Sequence, residues 1–127
     1  MTPFTVGPVG HFGLAVRDPR ASAAWFTRCL LLPPYMEVDE DTLSVGNDAV
    51  TIWFYRGTPS RETIDHMSFQ LHDRAELERA LAHLKREGAN LEDPGNEIGP
   101  QAEGAPDIGI WFHDPDGYRW ELSAPGH

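Results

Sequence analysis

The feature that most constrains the fold is a repeat in the order of elements, marked by two histidines in matching positions. His11 stands seven residues before Asp18, and His66 stands seven residues before Asp73. Each histidine lies near the start of a short run of β-formers, and each run leads into a helix with an aspartate at its N-cap position. Shorter β-forming runs follow in both halves. The chain therefore reads as two βαβββ modules, about 8–57 and about 64–124, within a single domain spanning 1–127. An α+β fold is expected.

In the first module, Val9 to Val16 forms the opening strand. Asp18-Pro19 then starts a helix, because aspartate caps the free N–H groups and proline has the backbone angle of a first turn. The helix stops at Pro33-Pro34, and Ala21, Trp25 and Cys29 are spaced to form its buried face. Strands are expected at Tyr35 to Val38, Thr42 to Val45 and Ala49 to Tyr55, the last two joined by a turn at Gly46-Asn47-Asp48. In the second module, Asp65 to Leu71 is a strand and Asp73 to Glu87 a helix. Glu76 completes a capping box with Asp73, Leu77, Leu81 and Leu84 line the apolar face, and Gly88 is the stop. Strands follow at Asn90 to Leu91, Ile108 to Phe112 and Tyr118 to Ala124, with Asp114-Pro115-Asp116-Gly117 turning between the last two. Glu92 to Pro106 is broken by proline and glycine and reads as a long mobile loop of functional interest.

Charge and cysteine content narrow the function classes. The chain carries 10 Lys and Arg against 20 Asp and Glu, a net charge of −10. That disfavours nucleic acid, whose phosphates need a basic surface. No apolar run approaches the roughly 20 residues of a membrane-spanning helix. The N-terminal residues lack the regions of a signal peptide, and Cys29 is the only cysteine; both suit the cytoplasm.

Strand alternation sorts the candidate ligands onto faces. His11 shares a face with Gly13 and Ala15, His66 with Ser68 and Gln70, and Glu121 with Arg119 and Ser123. A single strand histidine is commonly a hydrogen-bonded structural residue, and a glutamate between Trp120 and Leu122 commonly meets solvent. The repeated register favours the other reading: His11, His66 and Glu121 as three ligands of one divalent metal ion, Glu121 being the catalytic candidate. Two imidazoles and a carboxylate suit Fe(II), Mn(II), Zn(II) or Ni(II). Three protein ligands leave coordination positions for a substrate. Trp53, Tyr55, Trp111, His113, Tyr118 and Arg119 are candidate pocket residues, with Arg56 a further one. His72 and His83 read as helix-cap and helix-face residues, and His127 as terminal.

GHFGLAVRDPRASAAWF, DHMSFQL and above all WFHDPDGYRWEL make the chain resemble the vicinal oxygen chelate superfamily of glyoxalases, bleomycin resistance proteins and extradiol dioxygenases. The resemblance covers nearly the whole chain. It implies that the two modules form a curved, half-open mixed sheet around a central metal pocket. Family ligands come from the first and last strands of each module, and His11, His66 and Glu121 fill three of the four positions. The fourth falls near Thr51 to Trp53, where no carboxylate stands, which argues against a glyoxalase I. The His, His, Glu set is similar to extradiol dioxygenases and fosfomycin-resistance thiol transferases. Gly13 departs from the transferases, which carry a hydroxyl there. Trp111 and Phe112 stand where the dioxygenases have a tyrosine. Small members are often homodimers, in some of which the two modules of one site come from different chains.

Two functions follow from these features. One is a metal-dependent enzyme acting on a small substrate that chelates the metal through adjacent oxygens. The other is a metal-free protein that sequesters a drug or other small molecule between aromatic side chains, as bleomycin resistance proteins do.

Overall fold

The computed structural model describes residues 2–126, so His127 lies outside the described residues. The fold is α+β with two mixed sheets. The chain divides into two compact units: residues up to Thr27 with Leu31–Pro59, and Arg28–Leu30 with the residues from Ser60 onward.

The first unit holds β1 (His11–Val16), most of α1 (Pro19–Leu30), β2 (Pro34–Asp39), β3 (Thr42–Gly46) and β4 (Thr51–Arg56). Its sheet has the order β1-β4-β3-β2, with β1 and β4 parallel and the other pairs antiparallel. The Asp18 carboxylate accepts from the Ala21 N–H at 3.2 Å, and Pro19 opens the helix, as the sequence implied. Leu31 ends it with φ 58°, a left-handed cap that leads into Pro33-Pro34. The buried face of α1 is not the expected one. Ala21 is exposed, and the stripe is instead Ser22, Trp25, Phe26 and Cys29. That is the i, i+3, i+4, i+7 pattern of a helix lying on a sheet, and it turns the larger Phe26 ring inward. Phe26 packs on Phe54 of β4 with ring centroids 5.1 Å apart. Leu14, Val16, Leu43, Val45 and Ile52 complete this core. The turn after β3 forms at Asn47, whose side chain accepts from the Ala49 and Val50 amides.

The second unit holds β5 (Met67–Gln70), α2 (Arg74–Arg86), β6 (Asn90–Leu91), β7 (Gly99–Pro100), β8 (Asp107–His113) and β9 (Arg119–Pro125). Here β5 runs parallel to β9, β9 pairs with β8, and β8 also receives the short strands β6 and β7. The first strand of each unit thus lies parallel beside the last, so pairing repeats along with element order. Asp73 caps α2 as expected, but Glu76 reaches back to the N–H of His72 and not to that of Asp73 as a capping box would. Asp73 accepts from the Glu76 N–H at 2.9 Å, and Glu76 accepts from the His72 N–H at 2.6 Å. Gly88 stops the helix with φ +73°, a conformation that costs side-chain-bearing residues energy. Leu77 and Leu84 are fully buried and Leu81 only partly. The helix packs on β8 and β9, where Trp120 stacks on Phe69 at 5.6 Å.

The segment from Glu92 to Pro106 docks on the second unit's sheet and helix through backbone and side-chain contacts. Gly99 and Pro100 pair with Gly109 and Ile108. The Glu92 N–H donates to the Trp111 carbonyl and the Gln101 N–H to the Asp107 carbonyl. Lys85 of α2 pairs with Glu97 at 3.2 Å. Proline and glycine break helix and long strands, but they leave enough N–H groups for a loop to dock on a sheet edge.

Candidate metal centre and its surroundings

The strand registers place the candidate residues within each unit. In the first unit, His11 is exposed at the start of β1 and paired with Thr51, while Gly13 pairs with Trp53. Side chains at alternate positions share this face, and Trp53 and Tyr55 stack along it at 6.5 Å. A Cβ at position 13 would lie 2.7 Å from the Tyr55 ring, so the glycine gives that ring its place. Arg56 is committed elsewhere, to the Asp41 carboxylate and the Arg17 carbonyl.

In the second unit, His66 lies just before β5 rather than within it. Its Nδ1 donates to Asp65 at 2.7 Å. That bond favours the tautomer whose Nε2 lone pair can bind a metal, the usual role of a carboxylate behind a ligand histidine. The ring stands edge-on to Trp111, with centroids 4.9 Å apart.

Glu121 is 1% exposed. Burial of a carboxylate is costly unless it is hydrogen-bonded. Here both oxygens accept from the Gln101 side-chain amide, at 3.0 and 2.9 Å. The space for the carboxylate comes from Gly109 on β8, where a Cβ would lie 2.5 Å from Oε2. Composition and spacing gave no sign of Gln101 or Gly109. The part of Gln101 follows from β7 pairing with β8, which two residues, Gly99 and Pro100, bring about, and that of Gly109 from the strand register.

The repeat gains meaning from the registers. Ser68, two residues after His66, pairs with Glu121, whereas Gly13, two residues after His11, pairs with Trp53. Trp53 therefore holds the place in the first unit that Glu121 holds in the second. A carboxylate set that obeyed the repeat would have its second member at Trp53, and an indole cannot ligate as a carboxylate does. Among the described residues, no three His, Cys, Asp or Glu side chains are gathered in a cluster fit to hold a metal ion.

The remaining pocket candidates are engaged in unequal ways. Arg119 forms a bidentate pair with Glu92, at 2.7 and 2.9 Å, and lies 4.0 Å over the Trp111 ring. His113 Nε2 donates to the same carboxylate at 2.7 Å. Tyr118 is buried, and its hydroxyl accepts from the Ser60 N–H, so it supports the turn that starts at Ser60. His83 Nε2 donates to the Arg28 carbonyl.

A model of the Glyoxalase/Bleomycin resistance protein/Dioxygenase superfamily matches residues 9–122. The chain belongs to that superfamily. No match is found among curated protein sequences. Solved structures of the same fold include the genomically encoded fosfomycin resistance protein FosX from Listeria monocytogenes, at 20% identity and TM-score 0.74, with 94% of each chain covered. Lactoylglutathione lyase from Agrobacterium tumefaciens is 13% identical with TM-score 0.73, covering 97% of this chain and 96% of that one. Oxidase ChaP-H2 is 21% identical with TM-score 0.72, covering 98% and 97%. At these identities the likeness establishes the fold.

Within this superfamily member, the Glu92 hub makes a testable pH statement. The hydrogen bond from Arg119, and then that from His113, hold the Glu92 carboxyl below the usual glutamate range, against the opposing effect of burial. A depressed carboxyl stabilises the fold at pH values above its unfolded range, and that contribution is lost as pH falls through the folded value. Arg119→Met should therefore move the Glu92 titration midpoint upward in a carboxyl-resolved NMR titration. An unchanged midpoint would mean that the pair is not what holds Glu92 ionised.

Proposed function

We propose that this protein is a metal-dependent enzyme acting on a small molecule that presents two adjacent oxygens, with His11, His66 and Glu121 as the metal ligands. The observation that carries the reading is Glu121: a buried carboxylate whose hydrogen bonds, among the described residues, come from one neutral amide. Such a group suits a cation better than it suits a structural role. The donor chemistry fits a divalent first-row ion, and His66, oriented by Asp65, supplies the matching imidazole. A bound ion of this kind would act as a Lewis acid toward the chelating oxygens. The chain's own residues orient and exclude. Gly109 and Gln101 set the carboxylate, Asp65 sets the imidazole, and Trp111 flanks the His66 ring edge-on. We further propose that the protein works as a homodimer, with His11 of one copy serving the His66 and Glu121 of the other.

Arg119 bears on the substrate. Its guanidinium is occupied by Glu92, which favours neutral chelating substrates over those that need a free arginine for a carboxylate or phosphonate.

The second reading is a sequestering protein without metal. The stacked Trp53 and Tyr55 support it, Tyr55 being 47% exposed. Untagged protein should bind one of Fe(II), Mn(II), Zn(II) or Ni(II) tightly, as measured by elemental analysis and competition titration. Failure to bind any of them would remove the enzyme reading and leave the sequestering one.

A further inference from the structure

We propose that Gln101 is the positioning residue of the Glu121 carboxylate, and that through it the segment from Glu92 to Pro106 controls the metal site. The inference rests on the reading of Glu121 as a ligand and goes beyond it, because it assigns a role to a residue and a loop that the ligand set does not include.

Glu121 could hold its carboxylate in several ways from a strand backbone, since its side chain has three rotatable bonds. Two features restrict it. Gly109 opens a space on β8 into which the carboxylate fits, at a distance that no Cβ would tolerate. Gln101 then donates from one nitrogen to both oxygens. The Gln101 backbone is itself anchored, its N–H donating to the Asp107 carbonyl at 3.1 Å directly after the β7–β8 pairing. The far end of the same segment is tied to the site from the other side, because Glu92 holds Arg119, and Arg119 lies over the Trp111 ring that meets His66. Glu121 thus touches the segment directly through Gln101, and His66 meets a Trp111 ring that the segment braces through Glu92 and Arg119.

The chemistry of the amide fits this role. A primary amide donates and carries no positive charge, so it satisfies a buried carboxylate without neutralising it. A lysine or arginine in the same place would compete with a metal ion for the charge. When one oxygen turns to a cation, the Gln101 nitrogen can keep its bond to the other. The carboxylate therefore stays oriented with and without the ion, and the ordering is not left to the moment of binding.

The test compares untagged full-length wild type with Gln101→Leu, which keeps the bulk and removes the donor, and with Gly109→Ala, which leaves Gln101 intact and crowds the carboxylate. The readouts are Mn(II) affinity by calorimetry, the line shape of bound Mn(II) by electron paramagnetic resonance, and hydrogen exchange of residues 99–109. Orienting partners of metal ligands are worth about 10–100-fold in affinity. Both variants should weaken Mn(II) binding by that order and broaden the resonance, and Mn(II) should slow exchange in residues 99–109 of the wild type. Wild-type affinity in both variants would overturn the assignment while leaving Glu121 a ligand. Loss confined to variants whose metal-free thermal transition has also dropped would reduce Gln101 to a structural residue, and so overturn it too. A wild type that binds no metal would remove the inference together with the reading beneath it.

Discussion

Asp114→Ala is expected to destabilise the protein by about 3 kcal/mol, enough to consume a large part of the stability of a small domain. Asp114 begins the turn between β8 and β9 and is buried. Its Oδ1 accepts from the Asp116 and Tyr118 amides at 2.9 and 3.0 Å, and its Oδ2 from the Trp120 indole at 3.0 Å. Alanine would leave three donors without this acceptor, each worth roughly 1 kcal/mol, and more for a bond to an ionised group. Trp120 belongs to the core against Phe69, so the damage would not stay in the turn. Asp114→Asn should cost less than alanine, because the amide oxygen can still serve the two backbone donors while its NH2 faces the indole N–H. Urea denaturation of the three proteins checks the order. Alanine and wild type with equal midpoints would show that water replaces the carboxylate without cost.

The pH dependence of this contribution is opposite in sign to that of Glu92. Burial pushes the Asp114 carboxyl up, and the three hydrogen bonds only partly oppose it. A raised carboxyl contributes most below its unfolded range, and that contribution falls as pH rises through the folded value. The turn is therefore held by geometry at neutral pH despite the cost of a buried charge.

The second large effect concerns His66. His66→Ala should lower metal affinity by at least about 100-fold, since removing a ligand exceeds the roughly 10–100-fold cost of removing a partner behind one. The same loss is expected for His11→Ala. Mixing the two variants then asks where the third ligand comes from. If His11 of one copy serves His66 and Glu121 of the other, a mixed dimer of the two variants holds one intact site. Refolding them together should then restore tight binding to at most half the sites of wild type. No restoration would place all three ligands within one chain. Tight binding by His66→Ala alone would remove His66 from the ligand set.

Asp18, Asp73, Asn47, Gly88 and the Asp114 to Gly117 turn were legible because each acts on backbone groups only a few residues away. The helix face of α1 was less so. Ala21, Trp25 and Cys29 fit a helical period, but so do Ser22, Trp25, Phe26 and Cys29, and only the sheet beneath decides which stripe turns inward. The docking of the segment from Glu92 to Pro106 on β8 was not legible for a related reason. Proline and glycine content reports on regular structure, whereas docking on β8 depends on N–H and C=O groups that every sequence carries.

The repeat that relates His11 to His66 is a property of the sequence alone, and so is the absence of a carboxylate from Thr51 to Trp53. Spacing along the chain fixes which residues recur, because strand and helix periods are local. What tertiary structure decided is the partner of each polar side chain. The pairing of β7 with β8 brought Gln101 to Glu121, the strand register set Glu121 against the bare Cα of Gly109, and the path of the same segment gave Arg119 to Glu92. Those contacts join residues about 20 or more apart in sequence, or depend on a strand register. A register is set only when whole faces are buried together, since a one-residue slip would reverse every side chain on the strand.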